Sequence, residues 1–407
     1  MSTIDPRDRA TASGSRPRRV EFYRHSLTEA DIAATADVLR SIFLTTGPRA
    51  ATFEKTFADF LGVQHVVTTS SCTSALFLSL AALGLGPADE VITTPMTFVA
   101  TANAILHAGA TPRFVDVEPD TGNIDVNQVA AAINSRTRVV LPVHLYGLMA
   151  DVHGLAELCR HRSLIMIEDA AHAAEAQRDG LRPGQRGQAA CFSFYATKNL
   201  TCGEGGAVAT DDPAMADALR RLRSHGLSKE AANRYTEKYQ HWDMLELGYK
   251  ANLSDIQAAL LIGQLPRLEA QRQRREAIAR RYEEAFADLS GVTFPTVPEG
   301  AQSARHLFTI WVPPARRDRT MAELQERGIG IAVNYRAVHL LSYYQWRFGL
   351  PRGSFPNAER IGDSTLTLPL YPSMTDDEQQ QVIDAVSAVV AAWGPSRTVV
   401  AFSTAAR

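Results

Sequence analysis

No run of residues in this chain is apolar for the roughly 18–20 positions that a helix needs to cross a bilayer, so no membrane span is expected. Cysteine is scarce and scattered: Cys72, Cys159, Cys191 and Cys202 form neither a CxxC pair nor a cluster with histidine. That argues against a zinc site and a disulfide framework, and for reduced thiols in a cytoplasmic protein. Charge of one sign is also missing, since 42 Lys and Arg residues face 44 Asp and Glu residues, a formal net charge of -2. No global field attracts nucleic acid or an anionic membrane, so any bound anion must be held locally. The first twenty residues carry Arg7, Arg9, Arg16, Arg18 and Arg19 with two prolines but no apolar core, so they do not read as a secretory signal. Residues 1–24 are expected to be a flexible arm and 396–407 a frayed tail.

What is present is ordinary globular material, 45% apolar and 21% charged. At roughly 100–200 residues per domain, the length of 407 accommodates two or three domains. Short apolar runs rich in Val and Ile occupy 66–69, 91–93, 113–117, 139–143, 164–167 and 190–194, with helical periodicity between them, as at 74–83 and 99–107. The runs are continuous rather than alternating, as strands covered by helices on both faces are. The expectation is an α/β domain over 25–265 with a mostly parallel sheet, whose ligands sit beyond the carboxyl ends of the strands. A long Arg-bearing helical run then leads into a smaller α+β domain over 266–395 that ends in a helix from Asp376.

Chemistry-bearing residues collect at these strand ends. Ile165-Met166-Ile167-Glu168-Asp169-Ala170-Ala171-His172 carries a carboxylate and an imidazole out of an apolar strand, where they are costly unless paired. Asp169 either caps the next helix or partners a ligand. A second strand, Phe192-Ser193-Phe194, runs out through Tyr195 to Lys198, followed by Gly203-Glu204-Gly205-Gly206, a turn where backbone approaches a ligand closely. A desolvated lysine condenses with carbonyls, and pyridoxal phosphate needs such a lysine together with a carboxylate at its ring nitrogen. Ser70-Ser71-Cys72-Thr73-Ser74 stands where a strand hands over to a helix, an ordinary cap or a phosphate cradle. Phe98, just past a strand end, is either a core aromatic or a flat partner for a pyridine ring.

With these motifs in order, the sequence resembles the sugar-nucleotide aminotransferases of the DegT/DnrJ/EryC/StrS group from about residue 41 to 389. The resemblance also rests on Thr45-Thr46-Gly47-Pro48, Ser254-Asp255-Ile256-Gln257-Ala258-Ala259, Glu326-Arg327-Gly328-Ile329-Gly330 and Leu368-Pro369-Leu370-Tyr371-Pro372. It implies the type I fold of pyridoxal-phosphate-dependent transferases. It further implies that Lys198 binds the cofactor aldehyde and shuttles the proton, that Asp169 pairs with the ring nitrogen, and that His172 sits near the ring with Phe98 stacked on its face. Cys72, Thr73, Ser74 and Ser193 hold the phosphate by the same carry-over. The family shares its active sites across a homodimer, which makes Lys250 and Asn252, in Gly248-Tyr249-Lys250-Ala251-Asn252, either contributions in trans or a solvated surface pair.

Substrate residues follow the same route. Asn334-Tyr335-Arg336-Ala337-Val338-His339 resembles the substrate loop of the branch that aminates C4 of nucleotide-linked 4-keto sugars. Arg336 and His339 then contact a sugar hydroxyl or diphosphate, or pair with each other at the domain interface. Thr45 and Thr46 line the opposite wall and Tyr195 borders the sugar. Tyr195-Ala196 and Ala251 depart from the family pattern at the pocket rim. Lys198 is retained where a dehydratase branch has histidine, which points to transamination of a keto sugar by L-glutamate.

Overall fold

The computed structural model describes residues 19–228 and 241–393. Its core is a seven-stranded sheet built from β1 (His65–Thr69), β2 (Glu90–Thr93), β3 (Thr111–Phe114), β4 (Thr137–Val140), β5 (Ile165–Asp169), β7 (Ala189–Ser193) and β8 (Gly206–Thr210), with a two-residue β6 (Gln177–Arg178) outside it. The order across the sheet is β1-β8-β7-β5-β4-β2-β3. Neighbours from β7 to β3 are parallel, while β8 runs antiparallel to both β7 and β1. The helices α1 (Glu29–Leu39), α2 (Pro48–Leu61), α3 (Cys72–Ala81), α4 (Val99–His107), α5 (Val126–Ala132), α6 (Val152–Arg162), α7 (Pro213–Leu222) and α8 (Asp255–Ile262) accompany it. Apolar side chains pack on both faces of the sheet as its core, Phe53, Phe57, Phe192 and Phe194 on one and Leu76, Leu78, Ile105 and Leu219 on the other. Burial on both faces accounts for the continuous apolar strands.

The antiparallel β8 departs from the sequence expectation, which ended the Gly203–206 segment in a turn and assigned no strand after it. Its residues Gly-Ala-Val-Ala-Thr are small, and the reason is steric. A Cβ on Gly206 would lie 2.4–2.6 Å from the backbone of Ser71 and Cys72, so this strand passes directly against the first turn of α3. The edges of the other strands also shift: β3 and β4 end at Phe114 and Val140, earlier than the apolar runs, and the chain beyond continues as irregular connection.

The C-terminal part assembles a second core. It uses α9 (Leu268–Phe286), β10 (Phe308–Trp311), α10 (Pro314–Glu326), β11 (Thr365–Leu368) and α13 (Asp376–Ala391), with a two-residue β9 (Ala301–Gln302) paired to β6. Tyr282, Phe286, Phe308, Leu366 and Val386 fill this core. The apolar run at 329–333 forms no strand there; Ile329 and Ala332 make only isolated bridges, to Val20 and Thr367. Val20 is itself fully buried in the second core, donating to Gly328 O at 2.9 Å and accepting from Gly330 N at 2.8 Å. The expected flexible arm therefore gives way to packed chain by Val20, and its residues 1–18, like the tail at 396–407, lie outside the described residues. Between the two cores, α12 (Pro356–Ser364) packs through Ala358 and Ile361 against Met96 and Val117, and α11 (Ser342–Phe348) packs through Tyr344 against Phe114, over the carboxyl ends of β2 and β3. No helix among the described residues is long and apolar enough to cross a membrane.

Candidate active site

The parallel strands deliver their functional residues to one end of the sheet. Asp169 closes β5 and is buried. Its Oδ2 accepts from Thr101 Oγ1 at 2.7 Å and its Oδ1 from the Ala171 amide at 3.1 Å. Burial pushes the carboxyl pKa up, opposed by the Thr101 and Ala171 hydrogen bonds and by the cation at Lys198. Thr101 lies one turn into α4 and also bonds Thr97 Oγ1 at 2.7 Å. Because the Thr101 hydrogen is committed to the carboxylate, its oxygen is the acceptor in that second contact.

His172 follows on the turn after β5. Its Nδ1 accepts the Tyr146 amide at 3.3 Å, so the ring hydrogen is on Nε2 and is donated to Tyr335 Oη at 3.1 Å. Burial, and secondarily the charge of Lys198, hold the imidazole well below its ordinary pKa, and it is neutral. The Tyr335 ring lies 5.7 Å from that of Phe98. Phe98 is 55% exposed at the head of α4, three residues before Thr101. It is not a core aromatic.

Lys198 arrives from the turn after β7. Desolvation lowers its amine from 10.5 to about 8, with Cys72 and Asp169 pulling the other way. Its Nζ stands 3.4 Å from Nε2 of His306. Beside it, β7 and β8 place Ser193 opposite Gly206, and Gly206 lies against the Ser71–Cys72 backbone, so Ser193 neighbours the N-terminus of α3. There Ser71 Oγ accepts the Ser74 amide at 3.1 Å, and the hydroxyls of Ser70 and Ser71 each stand 3.1 Å from Ser74 Oγ. Thr73 is exposed on the same turn. Hydroxyls and unpaired amides at a helix N-terminus suit a dianion. Cys72 differs from the expectation: its thiol points inward, donating to Cys191 O at 3.6 Å, so only its backbone amide is available to a phosphate.

Three residues that the sequence reading passed over complete the cluster: Thr101 on Asp169, Tyr335 on His172 and His306 on Lys198. Two expected residues stand apart from it. His339 has no solvent exposure, and its Nε2 is 3.1 Å from Glu359 Oε1. The placement of His339 against substrate is corrected: the imidazole is buried with Nε2 on Glu359 and Nδ1 without a hydrogen-bond partner among the described residues, and Arg336 is not its partner. Arg336 is exposed beside Tyr335 and has no hydrogen bond or ion pair among the described residues. Tyr195 is exposed at the rim. Thr45 and Thr46 form a separate cluster, accepting from Asn252 Nδ2 at 3.0 and 2.9 Å, while Lys250 Nζ donates to Asn252 Oδ1. Asp255 anchors this loop by accepting amides of Gly47, Arg49 and Ala50 at 2.7, 3.1 and 3.3 Å. The cluster sits next to the phosphate turn, since Ala251 O accepts the Ser70 amide at 2.7 Å.

A desolvated lysine, a buried carboxylate from the neighbouring strand and a hydroxyl-lined helix N-terminus fit an aldehyde, a ring nitrogen and a phosphate. These residues make a candidate site for pyridoxal phosphate. The chain belongs to the DegT/DnrJ/EryC1/StrS aminotransferase family, whose model matches residues 25–387. It is 43% identical over 382 residues to the spore coat polysaccharide biosynthesis protein SpsC of Bacillus subtilis (strain 168), covering 92% of this chain and 98% of that one. DesV of S. venezuelae, solved in complex with a ketimine intermediate, matches with a TM-score of 0.82 and 38% identity over 89% of this chain and 94% of that one. Spr1654 of Streptococcus pneumoniae, solved in PMP and PLP forms, matches with TM-scores of 0.86 and 0.85 at 31% and 30% identity, over 91% of this chain and 99% and 98% of those chains. The protein is a pyridoxal-phosphate-dependent enzyme of the sugar aminotransferase family.

Proposed function

We propose that this enzyme moves the amino group of L-glutamate to the C4 ketone of a UDP- or dTDP-linked 4-keto sugar, acting as a cytoplasmic homodimer. The observation that carries the transfer is the pairing of a desolvated Lys198 amine with the Asp169 carboxylate at one end of the sheet. Pyridoxal phosphate, when bound, supplies a carbonyl for the donor amine and an electron sink for the carbanion. Asp169, held by Thr101 and Ala171, keeps a proton on the ring nitrogen. Lys198, its amine half free at about pH 8, takes a proton from the substrate carbon at Nζ and returns it. His172, neutral and fixed through Tyr146, presents Tyr335 Oη with its own hydrogen free to donate. Ser71, Ser74, Ser193 and the α3 amides orient the phosphate.

Support for the acceptor comes from the rim. The exposed guanidinium of Arg336 has the fork that binds a diphosphate, and it stands next to Tyr335 in the chain. The dimer is supported by exposed apolar side chains, among them Ile42, Leu44, Met244, Leu245 and Leu247. They flank in sequence the Thr45–Thr46 and Lys250–Asn252 cluster, and a protein leaves such groups exposed where a partner covers them.

The test is a spectrum of the purified holoenzyme before and after L-glutamate, followed by mass analysis with a panel of UDP- and dTDP-linked 4-keto sugars, a 3-keto sugar and a cyclitol ketone. The expected outcome is loss of the lysine-bound chromophore near ~420 nm and a product one amine-for-oxygen exchange from a 4-keto substrate. An unchanged spectrum would refute glutamate as donor; amination of the 3-keto sugar or cyclitol alone would refute the C4 assignment.

A further inference from the structure

The transfer described above leaves His306 without a role, although its ring nitrogen faces Lys198 Nζ at 3.4 Å. The bonds around it fix where its hydrogen sits. Asn199 directs Nδ2 at Glu175 Oε1 (2.8 Å) and at the Ala304 carbonyl (3.1 Å), two acceptors. The opposite end of the amide, Oδ1, is therefore the atom 3.2 Å from His306 Nδ1, and it can only accept. Nδ1 carries the hydrogen, and Nε2 offers Lys198 a lone pair. Burial pushes the Glu175 carboxyl pKa up and the pairing with Arg275 opposes it, while Arg275 Nε donates to the same Ala304 carbonyl at 3.1 Å. Arg275 is 1% exposed. The arginines expected on the polar face of the long helical run thus include one that reaches inward from α9 to the site.

A second proton on His306 is opposed from every side. Burial does most to hold the imidazole well below its ordinary pKa, and the charges of Lys198 when protonated and of Arg275 act in the same direction, while His172, its ring centroid 4.5 Å away, offers no counter-charge. An imidazolium would be a cation without solvent beside the Arg275 guanidinium.

We propose that His306 is a positioning residue for Lys198: locked by Arg275, Glu175 and Asn199 with its hydrogen on Nδ1, it accepts one hydrogen of the free lysine amine and turns that amine's lone pair away from itself, toward the reacting carbon. A neutral amine has two hydrogens and one lone pair, so engaging one hydrogen restricts where the lone pair points. No proton is exchanged between the two residues. The proton taken from the substrate carbon is held on Lys198 Nζ and returned from it, so the balance of the transfer is unchanged. The inference rests on Lys198 being the cofactor lysine.

Two measurements test it on the full-length protein freed of cofactor. In ¹⁵N-histidine-labelled apoprotein, the His306 signal, assigned by its loss in His306→Gln, is expected to show hydrogen on Nδ1 and a bare Nε2 across pH 6–8. His172 is expected to show the opposite tautomer. Hydrogen on Nε2 of His306, or protonation of the ring within that range, overturns the proposal.

The second measurement is the rate at which the apoprotein captures added pyridoxal phosphate. His306→Phe keeps a ring but has no acceptor, and is expected to slow capture about tenfold, whereas His306→Gln, which keeps an acceptor, stays within about threefold of the parent. A purely structural role predicts that both variants follow their melting temperatures instead. Capture by His306→Phe at the parental rate overturns the proposal. Lys198→Ala separates the two claims: if it still forms the lysine-bound chromophore, the reading of Lys198 fails, whereas if it is inert and His306→Phe is normal, only the inference about His306 fails. Asp169, Cys72 and His172 also bear on the Lys198 amine and are left intact in every variant.

Discussion

Lys198 gains its reactivity from what surrounds it. With a pKa lowered to about 8, half of its amine is free at that pH, against roughly one part in three hundred for a lysine near 10.5. The sign follows directly: capture of pyridoxal phosphate by the apoprotein should rise as pH increases through about 8 and level off above it. A profile still rising toward 10.5 would mean that burial does not shift this amine. Asp169 depends on neighbours too. Thr101→Val removes the hydroxyl bonded to Oδ2, and a hydrogen bond to a charged group is worth about 1.5–3 kcal/mol. Cofactor affinity, read by fluorescence titration, is expected to fall roughly tenfold to a hundredfold, with the melting temperature changed by only a few degrees. Asp169 and Lys198 were legible in the sequence because one ends an apolar strand and the other lies in the turn just past one. Thr101, Tyr335 and His306 were not, because each acts on a residue 68, 163 or 108 positions away, a distance no local pattern encodes. His339 misled for a related reason: in sequence, an imidazole on a polar loop looks the same whether it meets solvent or a buried Glu359.

At the level of elements, the site depends on how closely β8 approaches α3. The parallel strands were readable as continuous apolar runs, but β8 was hidden, because it opens on a glycine that the Ser71–Cys72 backbone requires and then carries only small buried residues. Gly206→Ala tests that packing. An added Cβ would meet backbone atoms at 2.4–2.6 Å, where nothing flexible can yield, so the first turn of α3 must move. The contact borders the core at Cys72 and Ala207, so the variant should melt at a lower temperature and lose most of its affinity for pyridoxal phosphate and for inorganic phosphate as a competitor. Retained phosphate binding would show that the α3 N-terminus is not the cradle. The anchoring of the Thr45–Thr46 loop by Asp255 belongs to the same level: an acidic side chain two hundred residues away in the chain serves as the acceptor for the first turn of α2, which itself has no side-chain cap.

For the whole molecule, the question is whose site Lys250 and Asn252 serve. Within one chain they bond each other, Thr45 and Thr46, and not the Lys198 cluster. Leu247 nearby is 79% exposed, an arrangement expected where a second copy packs. If the pair acts across a homodimer, mixing two inactive variants restores function by symmetry. A Lys198→Ala chain supplies an intact Asn252, and an Asn252→Ala chain supplies an intact Lys198. Random re-pairing of equal amounts makes half the dimers mixed, and each mixed dimer holds one complete site, so roughly a quarter of the parental activity should return. If Asn252 instead serves its own chain, the Lys198-bearing subunit always carries its own defect and mixing restores nothing. A sedimentation measurement on the same samples fixes the dimer fraction, so that failure to re-pair is told apart from action in cis, and Leu247→Asp, expected to give monomers, should abolish the recovery without altering either chain's Lys198 cluster.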